Sequence, residues 1–347
     1  MRHLNVLGLC LLLSAGLARA APGGSPIDSM IETGSQKLEA GDLAGALERF
    51  DHAARLDSKD PRPRYLAAVA YEKKGNAAQA ERLFKEALKL DPKLADVRAE
   101  LGALLEEKGR HDEAATELRQ AVTQQDDLGD AWFNLGQAEL ARHRCAEATS
   151  AFARAQALKP GEAEPIIQRS IALRQCKKAD EAAKAAREAV KLAPQNAMAQ
   201  LNLGTALERI GRVDDARAAF TAATKLKSDY ATAYWSLGLL ELHASKATAA
   251  KVALEKAHSL DPTAARTADL GRAYRDLGDL PKAEALFKEA LAKDPKYKPA
   301  RFFLAQVMAV LGRCGEMDKE LSAMPASPTK ADSTKKLAAE CKAHMKR

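Results

Sequence analysis

Two stretches, WFNLGQAEL at residues 132–140 and YWSLGLLEL at 234–242, decide how this chain folds. They lie 102 residues apart, three times 34, and the 34-residue step runs through most of the sequence. A small residue recurs at Gly34, Ala68, Gly102, Gly136, Ser170, Gly204 and Gly238, then after a step of 33 at Gly271, then at Ala305. Twelve residues beyond each stands alanine, from Ala46 to Ala283, with Met317 closing the series; seven further on a second alanine column runs from Ala53 to Ala290 and ends at Met324. Between them lies a bulky column: Phe50, Phe84, Leu118, Phe152, Phe220, Leu254, Phe287 and Leu321, broken by Ala186. A period of this length signals a repeat architecture. Nine units fit, over about residues 27 to 325.

Each unit reads as two helices. Small residues suit a close approach of two helix backbones, and bulky ones fill the space beside them. Gly41, Gly75, Gly109, Gly211, Gly278 and Gly312 mark the turn within a pair, where positive φ is needed. Leu-Asp-Pro at 90–92 and 260–262, and Lys-Asp-Pro at 293–295, end second helices because proline cannot continue them. No stretch alternates at period two, so the expected class is all-α.

The two opening motifs, with EALKLDP at 86–92, resemble the first-helix motif and second-helix ending of the tetratricopeptide repeat family, over about 300 of the 347 residues. The resemblance implies a right-handed superhelical solenoid whose first helices line a concave groove that holds peptides or partner proteins. A single 34-residue unit cannot bury its apolar face alone, so stacking supplies the stability and the ends need caps. Residues 326–347 read as a C-terminal capping helix with a basic tail, Leu337, Cys341 and Met345 sharing one face. The fifth unit departs from the pattern at Arg169, Ser170, Ala186 and Lys177, the fourth at His143 and the ninth at Met317 and Met324. These three units are expected to stack least well.

Residues 1–20, MRHLNVLGLCLLLSAGLARA, have a basic start, an apolar run from Leu4 to Ala18 and small residues at Ala18 and Ala20. This is the layout of a secretory signal peptide cleaved after Ala20, with 21–26 as a short linker. An uncleaved anchor is the competing reading, but the run is 15 residues where spanning a membrane takes roughly 20. No stable membrane insertion is expected after cleavage. The net charge of +7 falls to +5 without Arg2 and Arg19, and residues 329–347, six Lys/Arg against two acids, account for +4 of that. A nearly neutral body is no phosphate-tracking surface, so no nucleic-acid partner is expected.

Without Cys10 four cysteines remain: Cys145, Cys176, Cys314 and Cys341. An even number in an exported chain favours disulfides. On the repeat frame, Cys145 follows the turn of the fourth unit and Cys176 precedes that of the fifth. Cys314 and Cys341 repeat the arrangement at the chain's end. The expected pairs are Cys145–Cys176 and Cys314–Cys341, structural staples rather than redox or metal sites, for there is no Cys-x-x-Cys.

Gly-x-x-x-x-Gly-Lys, His-Glu-x-x-His and Gly-x-Ser-x-Gly are all missing, and the histidines are scattered among separate units. No catalytic residue, metal or cofactor is expected. The groove is more informative. Three residues before the small column run Ile31, Tyr65, Ala99, Phe133, Ile167, Leu201, Trp235, Ala268 and Phe302; one step on come Asn134, Gln168, Asn202, Ser236 and Asp269. Apolar groups beside short polar ones suit an extended peptide, whose backbone the amides can bond. The candidate groove residues are Phe133, Asn134, Ile167, Leu201, Asn202 and Trp235, with Leu239 and Leu242 extending the wall. Arg272 and Arg275 come late on it, where an acidic segment of a ligand can lie. The competing reading makes the same column packing between adjacent first helices. The basic carboxylate clamp of the family's chaperone-binding members is missing from the early units, where Ile31, Ser35, Tyr65, Val69, Ala99 and Ala103 stand.

The functional expectation is a non-enzymatic interaction scaffold of the cell envelope, periplasmic, with a secreted or endoplasmic-reticulum location as the alternative. A holdase-like or regulatory subunit of an envelope complex is the second reading.

Overall fold

The computed structural model describes residues 25–324 and 328–344, the segments 328–334 and 344 by backbone alone. The proposed leader, most of the linker and Met345 lie outside the described residues. Among those described, every regular element is a helix. The first unit of the chain holds α1 Pro26–Glu39, α2 Leu43–Leu56, α3 Arg62–Lys73, α4 Ala77–Leu90, α5 Ala95–Glu107, α6 His111–Gln124, α7 Gly129–Ala141, α8 Cys145–Leu158 and α9 Glu164–Gln175. The second holds α10 Ala179–Leu192, α11 Ala197–Arg209, α12 Val213–Leu226, α13 Ala231–His243, α14 Ala247–Leu260, α15 Ala264–Asp276, α16 Leu280–Lys293, α17 Lys298–Val310, α18 Cys314–Ser322 and α19 Pro328–His344. Odd-numbered helices up to α17 are the first helices of repeats, even-numbered ones the second.

The two compact units divide after Lys177, inside the fifth pair, where Ser170 and Ala186 replace the usual glycine and phenylalanine. Within each unit, a hairpin packs on the next through its second helix against the following first helix. First helices also touch their successors, as α5 touches α7 and α15 touches α17, while second helices are held apart. The first helices are therefore the inner layer of each unit.

The sequence columns are contact partners. A Cβ placed on Gly34 would come within 2.6 Å of Phe50, on Gly136 within 2.6 Å of Phe152, and on Gly204 within 2.5 Å of Phe220. The ring packs directly on the glycine backbone of its own hairpin, so a side chain at these three positions would force the ring or the helix to shift. Phe50, Phe84, Leu118, Phe152, Phe220, Leu254 and Phe287 are fully buried, and so are the flanking alanines from Ala46 to Ala290. Overpacking such a contact costs typically 1–3 kcal/mol.

Eight of the nine hairpins close with a Schellman turn, the fifth keeping only the bond from Lys177 N–H to Arg174. In the first, Asp42 N–H bonds the carbonyl of Lys37 and Gly41, at φ 81°, bonds that of Leu38. His143, Lys177 and Ser245 hold the same left-handed conformation, at φ 60°, 60° and 57°, without being glycine. The fourth hairpin makes the equivalent bonds, Arg144 N–H to Glu139 and His143 N–H to Leu140, so the pattern of backbone bonds imposes the conformation on whatever residue occupies it.

Ion pairs recur with the repeat. Glu81 on α4 meets Lys85 and Arg110 at 2.7 Å and Lys108 at 2.5 Å; Glu284 on α16 meets Lys288 at 2.6 Å and Arg313 at 2.7 Å. Both tie a second helix to the turn of the next hairpin. Burial pushes the Glu81 carboxyl up, but its three cations outweigh that and bring it down to about 2. Deeper still, Glu139 on α7 is 1% exposed and is bound by Arg119 of α6, with Arg142 at 3.0 Å. Glu241 on α13, at the same repeat position, is buried against Arg217 of α12.

The structure joins Cys145 to Cys176 and Cys314 to Cys341, with Cα atoms 5.5 and 5.7 Å apart. The first bond ties the start of α8 to the end of α9. The second docks α19, whose Leu337 and Cys341 are buried against the cluster holding Met308, Met317 and Leu321.

Candidate functional site: the inner wall of first helices

In the first unit the inner wall carries Tyr65, Ala99, Phe133 and Ile167 from α3, α5, α7 and α9. Phe133 is half-buried, its ring tilted against Phe152 with centroids 5.6 Å apart. Asn134 beside it is half-buried. Ile167 is fully buried and offers no surface to a ligand, which removes it from the groove. The wall here is acidic. Burial, and then Asp127, push the Asp96 carboxyl above the usual range. Burial and the nearby Glu100, Asp96 and Glu72 push the Tyr65 hydroxyl up as well.

In the second unit α11, α13, α15 and α17 form the wall. Leu201, Trp235, Leu239 and Phe302 are half-buried and remain accessible. Leu242 is 7% exposed and belongs to the packing of α13 against Leu270 and Ala273, so the wall does not extend to it. Asn202 is 5% exposed and its Nδ2 is sealed and without a hydrogen-bond partner, so it too lies in the packing rather than on the open wall. The column as a whole is mixed: Ile31, Tyr65, Ile167 and Ala268 are buried, while Ala99, Phe133, Leu201, Trp235 and Phe302 keep an open face. It sits at the seam between successive first helices, which is why packing and exposure share it.

Trp235 is not a free donor. Its Nε1–H bonds Asp269 Oδ2 at 2.8 Å, and Arg272 Nη1 bonds the other oxygen at 2.9 Å. The Arg266 guanidinium stands 5.4 Å from the centre of the Trp235 ring. Arg272 and Arg275 stand 5.2 and 5.3 Å from that of Phe303, and Arg275 also bonds Asp276 and Gln306. Asp269, Arg266, Phe303 and Gln306 were missed as a set. Asp269 alone was visible in the sequence, as the last member of the polar ladder.

This arrangement offers apolar faces and guanidinium groups set against aromatic rings, the means to bind a chain. Among the described residues no group of three His, Cys, Asp or Glu is placed to hold a metal ion, and no helix is long and apolar enough to cross a membrane. His111 is engaged by Glu106 at 2.8 Å and His258 by Thr267 at 3.2 Å, each within the packing of its own repeats.

Family models described as Tetratricopeptide repeat match residues 37–101 and 73–135, 170–226 and 201–265, and 264–307. No curated protein matches the chain. Among solved structures, a tetratricopeptide repeat protein from Parabacteroides merdae is similar at 16% identity and TM-score 0.57, over 72% of this chain and 99% of that one. A chain of the APC/C hetero-tetramer Cut9–Hcn1 aligns at 16% identity and TM-score 0.55, over 90% and 76%. PilF of Pseudomonas aeruginosa aligns at 19% and 0.51, over 62% and 97%. At these identities the likeness is one of fold.

Proposed function

We propose that this chain, which belongs to the tetratricopeptide repeat family, is a non-enzymatic scaffold of the cell envelope that holds an extended peptide segment of a partner protein on its inner wall. The observation that carries the reading is the open face of Leu201, Trp235 and Leu239 on successive first helices. Open apolar faces of this kind take the side chains of an extended chain. Aromatic anchors of this kind dominate binding energy at interfaces. The envelope location draws on the leader-like start and on the two cysteine pairs brought to bonding distance, since disulfides persist in oxidising compartments. The signal peptide would be cleaved after Ala20, leaving the repeats exported, most simply to a periplasm.

The test is capture of a partner from an envelope extract by the wild type and by Trp235→Ala with Leu201→Ala. The double variant should lose the partner while keeping its helical content. Equal capture by both would reject the groove.

A further inference from the structure

The ion pairs between successive hairpins leave one seam unfinished. In four seams a cation on one second helix is followed by an arginine at the start of the next, always at the same two repeat positions: Lys85 and Arg110, Arg119 and Arg144, Arg187 and Arg212, Lys288 and Arg313. Three of the four hold a carboxylate. Glu81 meets Lys85 and Arg110, and Glu284 meets Lys288 and Arg313. Glu139, on a first helix, is bound by Arg119 and stands 3.9 Å from Arg144. The seam of Arg187 and Arg212 has lost both sources: Ala183 takes the repeat position of Glu81 and Glu284, and Leu207 that of Glu139.

Arg187 is the group left over. It is exposed, makes no hydrogen bond or ion pair among the described residues, and has Lys184 and Lys191 as its neighbours one turn away on α10. Arg212 is engaged by Asp215, the counterpart of Glu113 and Glu316. Both arginines line a cavity of about 320 Å³ bounded by α10, α11 and α12. Its floor is apolar, Leu203 and Leu207 of α11 with Ala219 of α12. The half-buried side-chain amide of Gln200 stands in its wall, without a partner among the described residues. The space exists because Gln200 and Ala219 replace a pair that fills it elsewhere: at the same positions Arg98 meets Glu117 at 2.7 Å, and Arg301 meets Glu320 at 2.7 Å. An apolar hollow of this size with a few polar groups to fix orientation is the make-up of a small-ligand site.

We propose that this cavity binds a small amphipathic carboxylate: a monocarboxylic acid whose anionic head replaces the missing glutamate beside Arg187 and Gln200, while its short aliphatic or aryl body lies on Leu203 and Leu207. A carboxylate is what the fold itself supplies to these two cation positions in the other three seams, and a planar guanidinium matches it with paired donors. A bare inorganic anion would leave the apolar floor to water, so the ligand carries a body as well as a charge. The site lies between second helices and does not depend on the inner wall.

The test titrates residues 21–347 with hexanoate, 1-hexanol and acetate at low salt and follows the amide resonances of Leu203 and Ala218, which line the cavity. Hexanoate should bind about 5-fold tighter than hexanol, the worth of one accessible ion pair. It should also bind tighter than acetate, which lacks the body. Arg187→Gln should erase the advantage over hexanol and leave hexanol binding in place. Gln200→Arg with Ala219→Glu, which rebuilds the pair seen at Arg98 and Glu117, should close the cavity to both ligands. Equal binding of hexanoate and hexanol, or an advantage that survives Arg187→Gln, would overturn the carboxylate. Acetate binding as tightly as hexanoate would mean an adventitious ion only and overturn the proposal. Resonances that hexanoate leaves unmoved would overturn it too. If Arg187→Gln then lost a partner in extract capture that Trp235→Ala with Leu201→Ala retained, the missing carboxylate would belong to a protein instead.

Discussion

Trp235 and Asp269 are joined across adjacent repeats, the indole N–H of α13 donating at 2.8 Å to a carboxylate of α15. They are 34 residues apart, yet they do not occupy the same repeat position. The single 33-residue step, between Gly238 and Gly271, shifts Asp269 one place along and sets its carboxylate opposite the indole. The bond fixes the ring's attitude in the wall and makes Asp269 a keystone of it. Asp269→Ala strands the Trp235 N–H and one guanidinium edge of Arg272, and should cost about 1–3 kcal/mol in chemical denaturation. Asp269→Asn, which still offers an acceptor oxygen, should cost less. Equal stability of wild type and alanine variant would show that the bond is idle.

Glu139 offers a second test. Its carboxylate is nearly sealed, and Arg119 and Arg142 hold it from α6 and the turn after α7. Glu139→Ala leaves arginines that can still reach water, so the expected loss is about 2 kcal/mol rather than the larger cost of stranding a sealed charge. Glu241→Ala should behave alike in the second unit. A loss confined to one of the two would mean that their shared repeat position is coincidental.

The cystines make a third. Cys145→Ser with Cys176→Ser releases a 31-residue separation in the unfolded chain and should lower stability by about 2–4 kcal/mol. Breaking Cys314–Cys341 should first loosen α19, seen as faster amide exchange there than in α17. Peptide mass mapping without reductant should recover both linked pairs, and four free thiols would contradict them.

The Glu81 cluster gives a pH signature. The folded carboxyl lies at about 2, below its unfolded value, so its stabilisation is complete above the unfolded value near about 4.3 and is lost as pH falls towards 2. Glu81→Gln should therefore be less stable than wild type at pH 7, with a gap that narrows steadily below about pH 4. A gap independent of pH would show that the cations do not act through the charge.

Much of the fold was legible because stacking enforces one residue size per position. Glycine at 34, 136 and 204 and phenylalanine sixteen residues on could be read as columns, though their close contact needed coordinates. The turn at Ser245 was harder to read: its left-handed backbone comes from the turn's hydrogen bonds, with no glycine to announce it. The site was less legible. Trp235 was found by type and column, but its link to Asp269 and the stacking of Arg272 and Arg275 on Phe303 depend on a one-residue shift and on rotamers. Ile167 shows the limit of a column: it shares a position with Phe133 and Trp235 and is nonetheless enclosed, because the seam between first helices can swallow an aliphatic side chain.

The central claim is that the inner face of the first helices is where a partner binds. Placing the photoreactive amino acid p-benzoylphenylalanine at position 239, on the half-buried inner wall, and separately at position 252, where Val252 is 61% exposed on a second helix, tests it most directly. Irradiation in cells should attach a partner through position 239 and leave position 252 without one. Crosslinking from 252 with none from 239 would contradict the account.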